Sequence, residues 1–251
     1  MNYGYFKSQK HYKSFDNKEI IKDVSLTVKK GELIGLLGMS GCGKTTLFNS
    51  ISGIHIPDSG TIELAGKDIT GKPGHISYML QKDLLLPYKK IIDNVSLPLL
   101  LSGMKKKTAR KKASAHFAEF GIEGTENKYP SELSGGMRQR AALLRTYLAS
   151  DGVALLDEPF SALDTITKHS MHSWYLSVME KIELSTIFIT HDIDEAIILS
   201  DRVLIMSGSP GRITDEIVIN APKLRGNDFT LTHEFIEYKK QIISSLGVTS
   251  Y

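Results

Sequence analysis

Short apolar runs, bounded by glycine, proline or charged residues, recur along this 251-residue chain. Two of them, residues 33–37 and 153–156, carry no charged side chain and are typical of central strands of a parallel sheet, which are buried on both faces. Other apolar runs predict further strands at residues 19–28, 60–64, 186–190, 203–206 and 212–219. A turn at residues 207–211 precedes the last of these, so we expect that strand to return antiparallel to its predecessor.

Helical patterns lie between these strands. Helices are predicted from Lys44 to about Gly53, over residues 165–183 and 194–200, and repeatedly between about residues 82 and 150. From residue 151 onward strands and helices alternate, which favours a parallel sheet covered by helices. The predicted fold class is therefore α/β, with a mostly parallel sheet core, an antiparallel β subdomain and an inserted helical subdomain.

The order of these elements predicts one domain, spanning residues 1–251, in three zones. Residues 1–82 and 151–225 are expected to form a core with its β subdomain, and residues 83–150 a helical subdomain. Residues 226–251 are expected to form a short tail with one helix, over residues 232–246.

Composition narrows the class of protein. A hydrophobic content of 41 % suits one sizeable α/β core, and a net charge of +3 is too small to imply nucleic-acid binding. The apolar runs are far shorter than the roughly 20 residues of a membrane-spanning helix, and residues 1–10 do not resemble a signal peptide. The single cysteine, Cys42, can form no intrachain disulfide, which is consistent with a reducing cytosol.

A glycine-rich loop follows the strand at residues 33–37 and matches G-x-x-x-x-G-K-[ST]. Its glycines let backbone N–H groups surround a polyphosphate, and the positive end of the next helix adds to the attraction. Lys44 is expected to reach the β- and γ-phosphates, and the Thr45 hydroxyl to coordinate Mg²⁺. The alternative, a ligand-free turn, is disfavoured by the strand before it and the Lys-Thr pair after it. The predicted ATP-binding residues of this loop are Gly38, Ser40, Gly41, Cys42, Gly43, Lys44, Thr45 and Thr46.

Two acids end the strand at residues 153–156. Ligands of open α/β sheets bind at the carboxyl ends of the strands, where Asp157 and Glu158 are expected. Asp157 would hold the metal and Glu158 would polarise the attacking water. The alternative is a strand followed by an acidic turn that Pro159 closes, and only the phosphate loop upstream disfavours it.

A third motif, Leu133-Ser134-Gly135-Gly136-Met137, is similar to the signature of the ATP-binding subunits of ABC transporters, and the whole chain resembles that family. In physical terms Ser134 would cap a helix whose N-terminal N–H groups Gly135 and Gly136 leave exposed to an anion. An ordinary capped helix is the alternative. The resemblance implies a RecA-like core and a head-to-tail homodimer, or a pair with a similar ATPase subunit, that encloses two ATP molecules.

The resemblance assigns further residues. Gln81 resembles the Q-loop residue that contacts Mg²⁺ and the attacking water. The segment Ser161-Ala162-Leu163-Asp164 resembles the D-loop, which includes Asp164. His191 resembles the switch histidine that touches the γ-phosphate. Phe15 is similar to the aromatic residue that stacks on adenine. Tyr12 competes for that role, and the polar residues 7–13 depart from the apolar first strand usual in the family.

Two charged or titratable patterns stay outside these motifs. His169 and His172 share a helix face at i, i+3 and are interpreted as a solvated face rather than a zinc site. The basic run at residues 105–112 is interpreted as a solvated helix face or as a surface for nucleic acid or lipid. Its place in the helical subdomain favours contact with anionic lipid head groups.

Residues 84–88, 94–97, 129–132 and 209–213 resemble importers of the nitrate, sulfonate and taurine group, although that group usually has Trp where this chain has Tyr88. The resemblance implies a peripheral ATPase at the cytoplasmic face of the membrane, a separate transmembrane permease, an extracytoplasmic substrate-binding protein and no nucleic acid. The solute would be a small anion of that group or a related molecule such as a thiamine precursor. A non-transport ABC ATPase is the alternative, and a phosphate-loop kinase is disfavoured because it gives the signature no task.

Overall fold

A computed structural model describes residues 5–222, 225 and 227–247. The ends of the predicted core and tail, at residues 1–4, 223–224, 226 and 248–251, lie outside the described residues. The strands are β1 (Phe6–Phe15), β2 (Lys18–Val28), β3 (Leu33–Leu37), β4 (Ser59–Leu64), β5 (Lys67–Asp68), β6 (Ser77–Met79), β7 (Val153–Asp157), β8 (Ser185–Ile189), β9 (Arg202–Ser207) and β10 (Arg212–Val218). The α-helices are α1 (Lys44–Ile51), α2 (Ile91–Val95), α3 (Leu97–Leu101), α4 (Lys106–Ser114), α5 (Gly135–Leu148), α6 (Thr165–Met179), α7 (Ile193–Leu199) and α8 (His233–Ser245).

The larger sheet has six strands in the order β10-β9-β3-β8-β7-β6. Strands β3, β6, β7, β8 and β9 run parallel, and β10 returns antiparallel to β9, as the sequence predicts. Leu36 pairs with Ile189, and Asp157 with the same Ile189 from the other side. Because the strands are parallel, the ends of β3, β7 and β8 meet at one edge of the sheet, where the loop before α1 also begins.

The smaller sheet is antiparallel, with the order β2-β1-β4-β5. Its central strand β1 includes residues 7–13, whose polar character departed from the expected apolar first strand. The structure shows why a polar segment forms a strand here. It pairs with neighbours on both sides, and only Phe6, Ser8 and His11 are buried, with a bulge between Ser8 and His11 that shifts the alternation by one residue. Ladder hydrogen bonds and a single buried face are sufficient for a central strand of this kind.

Helices α2 to α5 lie between β6 and β7. The predicted helical zone begins later than expected, because residues 82–90 form loops and turns before α2. The buried amide of Asn94 fixes this loop. Its Oδ1 accepts from the Leu86 N–H at 2.6 Å, and its Nδ2 donates to the carbonyls of Leu86 and Lys89 at 3.1 and 3.0 Å. One side chain therefore replaces several backbone pairings that a helix would have supplied.

Two apolar clusters fill the space on the two faces of the larger sheet. One joins α1 to the antiparallel sheet through residues such as Leu36, Phe48 and Ile62. The other joins α5, α6 and α7, with Leu144, Tyr175 and further buried side chains. The core thus holds the loop before α1 and the ends of β7 and β8 in a fixed relation.

The C-terminal helix α8 packs on α7 and β10. Before it, the buried Arg225 guanidinium donates to the carbonyl of Ile197, and to those of Ile198 and Ser200 at 3.1 and 2.7 Å, at the end of α7. These bonds satisfy carbonyls that a helix terminus leaves without partners. Across residues 5–222, 225 and 227–247, no helix is long and apolar enough to cross a membrane.

Candidate functional site

The phosphate loop joins β3 to α1, and its glycines are required for two different reasons. A Cβ at Gly38 would lie 2.2 Å from the carbonyl oxygen of Met206, so no side chain fits there. Gly41 and Gly43 have φ of +83° and +100°, which side chains rarely adopt. Gly43 also caps α1 without a side-chain acceptor, and the first turn of α1 contains no acid. The N–H groups that open α1 are therefore directed at the loop, as in an anion site.

Lys44 lies inside this loop. Its Nζ donates to the carbonyls of Gly38 and Met39 at 2.7 and 3.0 Å, which places one positive charge within the curve of the backbone. The Cys42 side chain is buried in the apolar cluster under the loop, whereas Ser40 and Thr45 are exposed. We therefore expect Cys42 to contact ATP through its backbone alone, and Ser40 and Thr45 to contact it through their side chains as well.

Asp157 ends β7 beside the phosphate loop. Burial raises the pKa of its carboxyl above the usual range, and the neighbouring charge of Glu158 raises it further. The Tyr78 hydroxyl donates to Oδ2 at 3.3 Å, and with Lys44 and the Thr45 hydroxyl it opposes that rise in pKa. The few polar groups around the half-buried Asp157 carboxylate do not offset the cost of burying its charge, so a cation would stabilise it. The nearby Thr45 hydroxyl offers a second oxygen ligand.

Glu158 lies at the centre of the predicted catalytic residues. Its Oε2 accepts from Gln81 Nε2 at 2.9 Å, and its Oε1 lies 3.3 Å from His191 Nδ1. The Glu158 side chain is 25 % exposed and that of His191 67 %, so solvent reaches the group. The structure thus brings together three residues that are far apart in sequence, with the Glu158 carboxylate held from two sides.

The backbone of Glu158 is in the left-handed region, at φ +46°. For a residue with a side chain this conformation costs about 1–2 kcal/mol and persists only where neighbours enforce it. Here the Glu158 N–H donates to the Ile189 carbonyl at 3.0 Å, and the Ser161 hydroxyl donates to the Glu158 carbonyl at 3.0 Å. Such strain is typical of functional positions, because it directs a side chain where a regular strand could not.

A network of charged side chains joins α6 to the start of α7. The sequence alone did not reveal this network. Lys168 Nζ lies 2.7 Å from Asp192 Oδ2 and 2.9 Å from Glu195 Oε2, and His172 Nε2 lies 3.3 Å from the same Glu195 oxygen. Asp192 also caps α7 by accepting from the Glu195 N–H at 3.1 Å. Asp192 follows His191 directly, so the network joins α6 to the segment that carries His191.

The network corrects the interpretation of His172 as part of a solvated face, because its ring is buried against Phe160. Burial pushes the pKa of Glu195 upward, but the bonds from His172 and Lys168 outweigh burial and hold that pKa below its usual range. Burial alone would lower the pKa of Lys168. Its bonds to Asp192 and Glu195 outweigh the effect of burial, so the pKa of Lys168 is raised above its usual range. The ion pairs thus favour the charged forms of both partners.

The signature motif lies at the start of α5. Ser134 caps this helix as predicted, with its hydroxyl accepting from the Met137 N–H at 3.3 Å. A Cβ at Gly135 or Gly136 would meet only ordinary contacts, at 3.8 and 3.6 Å, and neither glycine has a positive φ. Among the described residues, nothing therefore requires glycine at these two positions, and Ser134 and Gly135 are exposed at the start of α5.

One further contact connects the signature helix to the acid pair, and another caps α6 after it. The buried amide of Gln139 donates to the carbonyl of Pro159, directly after Glu158. Asp164 caps α6 by accepting from the Thr167 N–H at 3.0 Å, and this bond lowers the pKa of its carboxyl. A groove of about 630 Å³ opens between these parts; it is lined by residues that include Gln81, Leu85, Gly135, Arg138 and Leu163.

The two aromatic candidates for adenine stacking lie in different places. Phe15 ends β1, is 41 % exposed, and has the His55 ring at 5.3 Å and Lys13 Nζ at 5.1 Å from its centroid. Tyr12 lines a separate groove of about 750 Å³ on the antiparallel sheet. The β1–β2 hairpin also brings Ile20 to the phosphate loop, where a Cβ at Gly43 would lie 3.1 Å from the Ile20 carbonyl oxygen. This arrangement favours Phe15 over Tyr12.

The family model for ABC transporters matches residues 21–161. The formylaminopyrimidine import ATP-binding protein ThiZ of Halalkalibacterium halodurans is 48 % identical over 191 residues, which cover 76 % of this chain and 74 % of that protein. The taurine import ATP-binding protein TauB of Escherichia coli strain K12 is 38 % identical over 209 residues, which cover 83 % of this chain and 82 % of TauB.

Solved structures share the fold. The cbiO1 structure from Clostridium perfringens, part of the ABC transporter complex cbiONQ, has a TM-score of 0.78 at 24 % identity and covers 95 % of this chain and 99 % of that one. The dimeric structure of MJ0796, a bacterial ABC transporter cassette, has a TM-score of 0.71 at 26 % identity and covers 86 % of this chain and 100 % of that one. The matches confirm the predicted α/β fold class and the predicted resemblance, and the chain belongs to the ABC transporter family as an ATP-binding subunit.

Proposed function

We propose that the chain is the ATP-hydrolysing subunit of an importer for a small solute. The observation that carries the proposal is the position of Glu158, held by Gln81 and His191 at the edge of the sheet where the phosphate loop also begins. A carboxylate in that position can orient a water molecule and accept its proton.

ATP would bind with its phosphates in the loop that holds Lys44. Lys44 would leave the carbonyls of Gly38 and Met39 for the β- and γ-phosphates, because a phosphate oxygen is the stronger acceptor for an ammonium group. Phe15 would stack on the base. The contact of Phe15 with His55 leaves 41 % of the phenylalanine exposed for this purpose.

Mg²⁺ fits the oxygen groups beside the loop. Asp157 has a raised pKa because it is buried, so a divalent cation would stabilise its charged form. Thr45, Asp157 and Gln81 would hold the ion, directly or through water. When bound, it would neutralise charge on the phosphate oxygens.

In hydrolysis Glu158 would take the proton of the attacking water. Gln81 and His191 bond to opposite oxygens of its carboxylate, so they can fix its orientation before water binds. His191 and Lys44 would then stabilise the charge that develops on the γ-phosphoryl group.

A second copy of the chain, or a similar ATPase subunit, would complete each site. Ser134 and Gly135 are exposed at the start of α5, and no contact among the described residues requires glycine at positions 135 and 136. In a head-to-tail dimer these residues, with Asp164 at the interface, would close over the ATP on the partner's phosphate loop. The similar MJ0796 cassette has been solved as a dimer.

The dimer would drive a separate permease from the cytoplasmic face of the membrane. The groove between Gln81 and the start of α5 is the surface proposed for the permease, because it touches both the catalytic group and the signature helix. An extracytoplasmic binding protein would supply the solute, and no nucleic acid would take part. The names of TauB and ThiZ favour a small sulfonate-like anion or a pyrimidine-related molecule.

The test is to compare ATP hydrolysis and ATP binding in the Glu158→Gln variant. We expect turnover to fall at least about 100-fold, because the amide cannot accept the proton, while ATP binding persists and a dimer accumulates in ATP. Glu180→Gln, which removes an exposed carboxylate at the end of α6, is the matched control and should leave turnover unchanged. Near-normal turnover of Glu158→Gln would reject Glu158 as the base.

A second measurement tests the transport role. The tagged chain would be extracted in mild detergent from its native membranes and its partners identified by mass spectrometry. Recovery of a multi-spanning permease with a binding protein supports the importer. Recovery with ribosomal or DNA-associated proteins would contradict transport and leave the ATPase chemistry intact.

A further inference from the structure

Helix α4 and the residue before it carry six cations and no acid. Residues 104–118 contain no Asp or Glu. Among the described residues only Arg110 of this set has an acidic partner, Asp93, at 2.7 Å. The cations are Lys105, Lys106, Lys107, Arg110, Lys111 and Lys112, and the five lysines are all exposed.

The helix packs by one narrow face and turns its charges away from the protein. Ala109 and Ala113 are its buried residues, and Lys107 and Lys111 project from the opposite face one turn apart. Like charges at i, i+4 disfavour a helix, and this one has no acidic residue to offset them. Residues that destabilise the helix in which they lie indicate a surface with a function.

An exposed leucine ends the preceding helix, four residues before the first of these lysines. Leu101 ends α3, which packs on α4, and it is 81 % exposed. Cations with an apolar side chain among them match a bilayer interface, where the headgroups attract the ammonium groups and the acyl boundary accepts the leucine. A phosphodiester backbone would attract the same lysines but would gain nothing from Leu101. The combination therefore favours lipid over nucleic acid.

The position of α4 in the fold supports the same partner. The bidentate pair of Arg110 with Asp93 joins α4 to α2, which follows the loop at residues 82–90. That loop lines the groove proposed for the permease and exposes Leu84 and Tyr88. This step rests on the proposed function, because a permease docked in the groove would bring α4 close to the bilayer.

We propose that α4 and Leu101 form a binding surface for anionic phospholipid headgroups at the membrane face. Each basic side chain near an anionic surface contributes roughly a fivefold gain in binding. Four lysines together are sufficient for reversible attachment that depends on salt, and Leu101 adds an apolar contribution that does not.

The experiment measures sedimentation of the full chain with vesicles of phosphatidylcholine, with and without phosphatidylglycerol. The test variant carries Lys106→Gln, Lys107→Gln, Lys111→Gln and Lys112→Gln, since Gln preserves helix propensity. A matched control carries Lys18→Gln, Lys29→Gln, Lys67→Gln and Lys181→Gln. These four lysines are exposed, form no ion pair with a described residue and lie on other elements, so the two variants have the same net charge.

We expect the wild-type chain and the control to bind anionic vesicles and the test variant to lose at least about tenfold in binding. Leu101→Ser should weaken the part of the binding that persists at high salt. Equal losses in both lysine variants would overturn the proposal, because net charge alone would then explain binding. Unchanged binding of the test variant would overturn it as well.

Two further readouts separate this surface from the permease and from the ATPase. If the test variant bound vesicles normally but lost its permease in detergent, the lysines would contact protein and the lipid proposal would be wrong. ATP hydrolysis by the test variant is expected to be unchanged, because α4 contacts none of the ATP-binding residues described above. A wild-type chain that bound vesicles through α4 but hydrolysed no ATP would contradict the proposed function and support the lipid surface.

Discussion

The phosphate loop and the signature motif are both glycine-rich segments at the start of a helix, and both are proposed to bind an anion, but they differ in what explains their glycines. At the loop the explanation is internal, since a Cβ on Gly38 would collide with the Met206 carbonyl and Gly43 requires a positive φ. At the signature, Gly135 and Gly136 have ordinary backbone angles, and a Cβ at either position would make only ordinary van der Waals contacts. The described residues therefore explain the glycines of the loop but not those of the signature, from which we infer that a neighbouring molecule explains the latter.

The largest effect is expected from breaking the loop itself with Lys44→Ala. The variant loses the charge that would meet the phosphates, so ATP turnover should fall at least about 100-fold. The measurement is steady-state phosphate release at saturating ATP. Lys29→Ala, at an exposed lysine in the turn after β2, is the control and should retain turnover. Full activity of Lys44→Ala would remove the distinction between the two sites.

The next effect tests the signature, where stability and activity should change in opposite directions. Gly136→Ala meets only ordinary contacts in a helical backbone, so it should stabilise the chain by up to about 1 kcal/mol. Its methyl group would obstruct the partner's phosphate, so turnover should fall about tenfold or more. Thermal unfolding and ATPase assays on the same sample check both.

A second glycine provides the contrast. Gly60→Ala places a Cβ 2.5 Å from the Gln9 carbonyl oxygen at φ +99°, so it should destabilise the chain by more than about 1 kcal/mol. If Gly136→Ala were destabilising to the same degree, the glycine would have an internal role, and the inferred dependence on a neighbouring molecule would be wrong.

A smaller effect is expected from the network of charged side chains that joins α6 to the segment with His191. Lys168→Met leaves the buried Glu195 with His172 as a partner but without its lysine, so we expect a loss of about 2 kcal/mol in unfolding free energy. Turnover should fall several-fold with ATP binding unchanged, because the segment with His191 loses its anchor to α6. Lys168→Arg should restore both. Equal weakening of ATP binding would show that the network acts on the whole site.

The smallest effect is a dependence of the unfolding free energy on pH, which leaves the phosphate loop and the signature motif unchanged. Burial lowers the pKa of His11 in β1 to about 4 from its ordinary 6.5. The unfolded chain therefore binds a proton between these values and the folded chain does not, so stability falls as pH decreases. Between pH 7 and 6 this amounts to about 0.7 kcal/mol. Urea unfolding of His11→Gln should show a weaker decline, while ATP binding at fixed pH stays unchanged.

The sequence predicted the parts of the site that are encoded over a few neighbouring residues. The loop before Lys44, the acid pair at the end of β7 and the cap at Ser134 each follow from local spacing. The parallel sheet followed from the apolar runs and their alternation with helices. Strand β1 departed from expectation because its pairing with β2 and β4, and not its composition, makes it a strand.

Contacts between distant segments were beyond local reasoning. The bond between Gln81 and Glu158 joins residues 77 positions apart, and the network of Lys168 and Glu195 joins two helices. His172 looked like a surface residue because helical spacing alone does not show which face of α6 meets α7. A buried histidine of this kind is recognised only when the acid that pairs with it has been placed.

The Asn94 amide gives α2 a mechanical role. It bonds to both ends of the loop at residues 86–89, and Asp93 beside it forms two bonds to Arg110 of α4. These contacts join the loop to the basic helix α4 through one short helix, so we expect a displacement of the loop to move α4 as well. The Asn94 amide is uncharged, so neither salt nor pH weakens its bonds, whereas salt weakens the Asp93–Arg110 ion pair that completes the connection.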